Sequence, residues 1–351
     1  MTTQCSDLID LVLTAWQAAS ADIREIEGGV AWYPGTHEVL LRCSQDERDD
    51  NTGHRMWTDT KVVVGANLDD PKCRAKLASY ASLAPTFCLE FTPADVRGKY
   101  GLPNNGEIDF HTSVCVYAED KSWLASHFAT VSLLSVILAE RSAPLIADDI
   151  QAKSHSNRFR FSAGKSELDG ILFADQGLVE AAKEPSRWTA VDEFEGVAEQ
   201  YGKNDLCFGF GDKNGLTLEV PFGSDTALIR QHTDIPHPVF GNGLLTTIQL
   251  PIFDSAAETE QTCIWLNFMS TRSWTDSLIA GSWHLRQSRG DLFSPAYGTF
   301  VPNAMYREGL ATRYALWSIS LVRWAKSIFW NHLENAKMID ILTARYGRQT
   351  E

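Results

Sequence analysis

A chain of 351 residues is long enough for about two domains, and 44% hydrophobic with 11% aromatic residues, including 11 Trp, exclude an intrinsically disordered polypeptide. A formal charge of −14 excludes nonspecific attraction to phosphate backbones and anionic lipid surfaces, so nucleic acid and membrane are not expected partners. Seven scattered Cys with no CxxC pair read as reduced core thiols. Asp7 and Asp10 stand where a leader would carry basic residues, and no apolar run is read as reaching the roughly 18 residues that span a bilayer; the expected compartment is the cytoplasm.

In chain order, residues 6–23 put Leu8, Leu11, Val12, Ala15 and Trp16 at helical spacing behind a Ser6 N-cap. Strands are expected at 30–33 (VAWY) and 38–43 (EVLLRC), joined by Pro34-Gly35, and at 58–66. The acidic stretch 44–53 reads as a solvated loop, and Asp69-Asp70-Pro71 starts a helix over 71–83. Strands at 87–92 (FCLEFT) and 108–118 lead to a helix over 121–140 that ends at Pro144. Residues 145–185 show no sustained period and read as a linker.

The same order then restarts with a helix over 187–201 and strands at 205–210, 216–221 and 243–252. A helix over 255–269, strands at 280–287 and 297–302, and a long helix over 305–330 complete it. The two closing segments, 112–140 and 298–326, match at one spacing: Phe128 and Tyr314, Ala129 and Ala315, Ser132 and Ser318, Val136 and Val322, and Ala139 and Ala325 all differ by 186 (314 − 128). Toward the start of each half the spacing drifts to 176, at Trp32 and Phe208. A constant spacing of this kind is the mark of a unit that occurs twice. The expected class is therefore α+β: two tandem α-β-β-β-α-β-β-α modules, residues 1–144 and 186–351 on either side of the linker 145–185, each an antiparallel sheet with helices packed on it.

Chemistry-bearing motifs are sparse. His232-Thr233-Asp234 ahead of a strand, with His284 farther on, has the spacing of a facial triad for nonhaem Fe(II) and resembles the 2-oxoglutarate oxygenases. Position 294, where those enzymes carry a cosubstrate-binding Arg, is Ser, and the chain lacks enough strands for their barrel. Pro236 and Pro238 make the same stretch a polar loop. His237 has no Cys or His pair at zinc spacing, no GxSxG occurs, and Gly209-Phe210-Gly211 reads as a hairpin turn. The paired acids Asp49-Asp50 and Asp69-Asp70 read as solvated or helix-capping. No catalytic residue, resident metal or cofactor is expected. In the closing helix, positions 317, 321, 324 and 328 follow the helical period and face the core, whereas Phe329 and Trp330 lie off that line as expected partner-binding anchors.

Residues 266–269 (LNFM), a strand pair around GSWHLRQ and FVP, and an apolar closing helix resemble the type III secretion chaperone-like fold, including the YbjN-type family of bacteria. The resemblance implies a noncatalytic protein that binds a partner polypeptide along a sheet edge or an apolar helix face. It also implies a monomer whose two modules imitate the pseudo-twofold dimer of single-module relatives.

Overall fold

The computed structural model describes residues 3–18, 20–34, 37–45, 53–83, 88–90, 106–117, 121–154, 188, 194–197, 199, 208–212, 215–237, 240–272 and 278–334. Helix α1 (Thr3–Ala15) leads into strands β1 (Ile23–Ile26), β2 (Gly29–Trp32), β3 (Val39–Gln45) and β4 (His54–Val64). Helix α2 (Pro71–Leu83) separates these from β5 (Cys88–Glu90) and β6 (Ile108–Val116), and α3 (Lys121–Asp149) closes the half. A two-residue strand β7 (Lys153–Ser154) returns to pair with β4. The second half runs β8 (Phe208–Asp212), β9 (Gly215–Phe222), β10 (Asp225–His232), β11 (Gly243–Gln249), α4 (Ala256–Arg272), β12 (Gly281–Arg289), β13 (Leu292–Pro302) and α5 (Leu310–Glu334).

Both sheets are antiparallel and share one strand order. The first runs β1-β2-β3-β4-β6-β5, and the second, read from its other end, β8-β9-β10-β11-β13-β12. In each the fifth strand of the half lies outside the sixth, and a helix leads into it from the fourth. The α+β class with two modules of like order is therefore the observed architecture.

The spacing of 186 extends beyond the closing helices. Gly29 and Gly215 open the equivalent strands β2 and β9, and a Cβ on either would collide with a backbone carbonyl of the next strand, Leu41 for Gly29 and Gln231 for Gly215. Close backbone approach requires glycine at both. In α3 and α5, Ser132 Oγ donates to Phe128 O and Ser318 Oγ to Tyr314 O, each at 2.7 Å, so matched residues make the same bond. The match of Trp32 with Phe208 is corrected: by strand order β2 answers to β9, and Trp32 therefore to Leu218.

Several boundaries also move. Helix α1 starts at Thr3 and stops at Ala15, before a left-handed Gln17. Trp16 then stacks on Trp32 at 4.6 Å, and its indole N–H donates to Ala129 O at 2.8 Å, tying the first turn to α3. Gly209-Phe210-Gly211 lies within strand β8 and is not a turn. Pro144 does not end α3, which carries Pro144 inside and continues to Asp149. A proline removes one helical hydrogen bond, but Ile146, Ala147 and Ile150 beyond it are buried in the core, and each large apolar side chain so buried contributes about 1.5–3 kcal/mol. Residues 145–154 thus belong to the first module, and the rest of the expected linker, 155–185, lies outside the described residues.

The stretch Trp123–Glu140 is, by length and composition, apolar enough to cross a membrane, correcting the reading that no such run exists. In the fold, 72% of it is buried. Phe128, Ala129, Val136, Ile137 and Ala139 join one hydrophobic cluster that also holds Leu218, Ile229, Ile248, Tyr314 and Val322 of the second half. The modules are thus welded into one core. At the seam His127 Nε2 lies 3.1 Å from Tyr314 Oη, Trp123 stacks on Trp317, and Arg313 sits over Trp123. Strand β6 also pairs, at Ser113, with Ile279 of the second half through reciprocal backbone bonds of 3.0 and 2.8 Å.

Candidate functional site

The three residues of the alternative iron-site reading, His232, Asp234 and His284, are not brought together. His232 ends β10 and faces Leu245 on β11, which faces Phe300 on β13. His284 lies on β12, the strand beyond β13, facing Ala296, four residues along from Phe300. Three strand spacings put His284 about 14 Å to the side of His232, with about 13 Å more along the strands, far beyond any shared coordination sphere. Asp234 is exposed in the bend after β10. His284 Nδ1 lies 3.2 Å from Ser282 O, and burial lowers its pKa. Among the described residues no group of three or more His, Cys, Asp and Glu could hold a metal ion.

His237 occupies a structural position: its backbone exchanges two bonds with Gly241, and its Nδ1 accepts the Phe240 N–H at 3.2 Å. Asp59 lies 2.7 Å from His111 Nδ1 and 3.7 Å from Arg42 Nη1. His111 is buried, so this triple ties β3, β4 and β6 together.

Of the two expected partner-binding residues, Phe329 has a described side chain. Phe329 packs, half-buried, against Phe222 at 6.2 Å and Trp265 at 5.7 Å, as part of the apolar structure between α5, β9 and α4. The Trp330 side chain lies outside the described residues. The buried stripe of α5 runs through Ala311, Tyr314, Ala315, Ser318, Val322 and Ala325, with Trp317 and Trp324 flanking it.

Sheet edges differ in how they are finished. The edge strand β12 is sealed at Trp283 by the side-chain amide of Asn267 on α4: Nδ2 donates to Trp283 O at 2.9 Å and Oδ1 accepts Trp283 N–H at 2.7 Å, as a further strand would. At the opposite edge, β8 carries Phe210, which is 55% exposed.

A groove of about 550 Å³ opens on the outward face of the second sheet. Leu228 on β10 pairs with Gln249 on β11, Gln249 with Ala296 on β13, and Ser294 on β13 with Arg286 on β12. Alternation puts Thr226 and Leu228 on this face while Ala227 and Ile229 enter the core. The floor is held by Gln249 Nε2, which donates to Ser294 Oγ at 2.9 Å. Beyond the end of β11, Leu250 N–H donates to Pro295 O, and Asp254 exchanges two backbone bonds with Phe293, which fixes the intervening Pro251 and Phe253 at the rim. Phe253 is 52% and Leu292 46% exposed.

A β-bulge in β12 shapes the basic wall. In a regular strand Arg286 and Arg289, three apart, would point to opposite faces. The register shifts between Gln287 and Arg289, so Arg286 pairs with Ser294 while Arg289 pairs with Leu292. Ser294 and Leu292 share a face, and paired residues point the same way, so the extra residue brings both guanidinium groups to the groove. The hairpin is held by Gly290 at φ +56° and by Gln287 Nε2, which donates to Gly290 O at 2.9 Å. None of the residues lining this groove was named from the sequence. The available signal was the Arg-Gln-Ser-Arg-Gly run beside a Pro-Ile-Phe exit from a strand.

Set against protein-family models, curated proteins and solved structures, the chain gives no match, so its functional reading rests on its own residues.

Proposed function

We propose that this chain is a noncatalytic, chaperone-like or adaptor protein of the bacterial cytoplasm that binds an extended segment of a partner polypeptide in the groove on the second sheet. The observation that carries the reading is the exposure of both Phe253 and Leu292 in the lining of one concave, solvent-open site on the second sheet. Large apolar side chains grouped at a concavity are typical of binding surfaces. The open rim suits a linear segment crossing the face better than an enclosed small molecule. The resemblance to type III secretion chaperone-like and YbjN-type proteins points the same way. Two modules on one core supply the rigid platform that a pseudo-dimer supplies in single-module relatives.

The test is selection of a displayed random-peptide library on the immobilised full chain. Wild type is expected to enrich peptides with apolar residues. Phe253→Asp together with Leu292→Asp, at two half-exposed positions, should leave thermal unfolding unchanged and weaken capture of the enriched peptides roughly tenfold or more. No enrichment on wild type, or equal capture by the double variant, overturns the reading.

A further inference from the structure

We propose that the groove recognises a segment in which carboxylate and apolar side chains alternate, with Arg286 and Arg289 clamping the carboxylates from one wall and Leu228, Pro251 and Phe253 receiving the apolar side chains on the other. The inference rests on the peptide-binding reading above and assigns the chemistry of its partner. Strand order places the arginines on β12, at one side of the site, with Leu228 on β10 at the other. An extended chain lying between two walls sends successive side chains to opposite walls, which produces the alternation.

The spacing agrees. Arg286 and Arg289 face Ser294 and Leu292, two residues apart on β13, and so stand about 6.8 Å apart along the strand. That is the repeat of every second side chain in an extended segment. Among the described residues neither guanidinium is in an ion pair with a carboxylate, whereas Arg42, Lys61, Arg74 and Lys76 all are. The chain as a whole carries −14 and repels acidic partners at long range, so two arginines turned onto one face by a bulge are a local, selective exception. Guanidinium forks match carboxylate geometry and confer the direction of binding that apolar contact alone lacks.

The experiment is a fluorescence-anisotropy titration of the full chain with labelled octapeptides of alternating Leu-Glu, Leu-Lys and Leu-Ser. The Leu-Glu peptide is expected to bind at least roughly tenfold tighter than Leu-Lys, with affinity falling as salt rises. Arg286→Glu with Arg289→Glu, both at exposed positions, should invert that ranking. If Leu-Ser binds as tightly as Leu-Glu and charge reversal leaves the ranking unchanged, the carboxylate clamp is overturned while the peptide groove stands. If none of the three peptides binds, the clamp is overturned as well, and an empty library selection then removes the peptide reading with it.

Discussion

Replacing Asn267 by alanine is expected to lower the unfolding free energy by about 3 kcal/mol. Both Asn267 and Trp283 are buried, and the two bonds between them are the only ones in the described structure that finish the outer edge of β12 at that residue. Removing the amide leaves a backbone N–H and a C=O desolvated without partners, each worth about 1–3 kcal/mol, and opens a small void. Asn267→Asp separates hydrogen bonding from volume. It keeps an acceptor for the Trp283 N–H but sets a second oxygen against the Trp283 carbonyl, so it too should destabilise although it fills the space. Urea unfolding reads the result as a lower midpoint with an unchanged slope. A change below about 0.5 kcal/mol in both variants would show that the edge is finished by something else.

Acidification should destabilise the protein steeply between pH 6.5 and 4 through two buried histidines. Burial, followed by the nearby Arg307, pushes the His127 pKa down to about 4, and burial alone does the same for His237. Both are held neutral: His127 Nε2 meets the Tyr314 hydroxyl, and His237 Nδ1 must stay unprotonated to accept the Phe240 N–H. In the unfolded chain each titrates near its ordinary value of about 6.5. Between the two values the unfolded state binds more protons than the native state, so stability falls as pH falls through this window and levels off below it. From pH 7 to pH 5 the loss is about 2 kcal/mol for each histidine, roughly 4 for both. Urea unfolding at pH 7, 6 and 5 measures it, with the single variants His127→Asn and His237→Asn as internal references. Each should start from lower stability and decline by about 2 kcal/mol less than wild type between pH 7 and pH 5. A variant whose decline equals that of wild type would contradict the assignment for that histidine.

The sequence announced most of the helices and the module order for a simple reason: these rest on local signals. Asp70 ahead of Pro71 places α2, and its carboxylate accepts the Lys72 N–H at 3.0 Å. Ser255 and Glu258 form the capping box that opens α4. The strands that escaped notice lack such signals. Strand β1 is a four-residue edge strand whose middle residues, Arg24 and Glu25, are exposed charges. Strand β10 follows β9 through only Gly223 and Ser224, and the expected strand stops at Pro221, so β10 is passed over. Missing one strand at the start of one half and another in the second shifted the early alignment by a whole strand while leaving the closing helices in step.

Pro144 illustrates tertiary override, because a breaker residue is carried by the burial of the turn beyond it. The groove was illegible for a different reason. Its two arginines share a face only because of a bulge, and a bulge is a property of pairing between β12 and β13 that no local pattern in Arg-Gln-Ser-Arg discloses. Likewise Asn267 reads as an ordinary polar helix residue until the edge it completes is known.

The most direct test of the account is amide hydrogen exchange on the full chain with and without the peptide enriched by selection. Slowed exchange on binding is expected in the segments from Gln249 to Phe253 and from Arg286 to Leu292, with the outer edge strand β8 and helix α5 unchanged. Protection confined to Phe208–Asp212, or to α5 around Phe329, would place the partner elsewhere and contradict the groove as the functional surface.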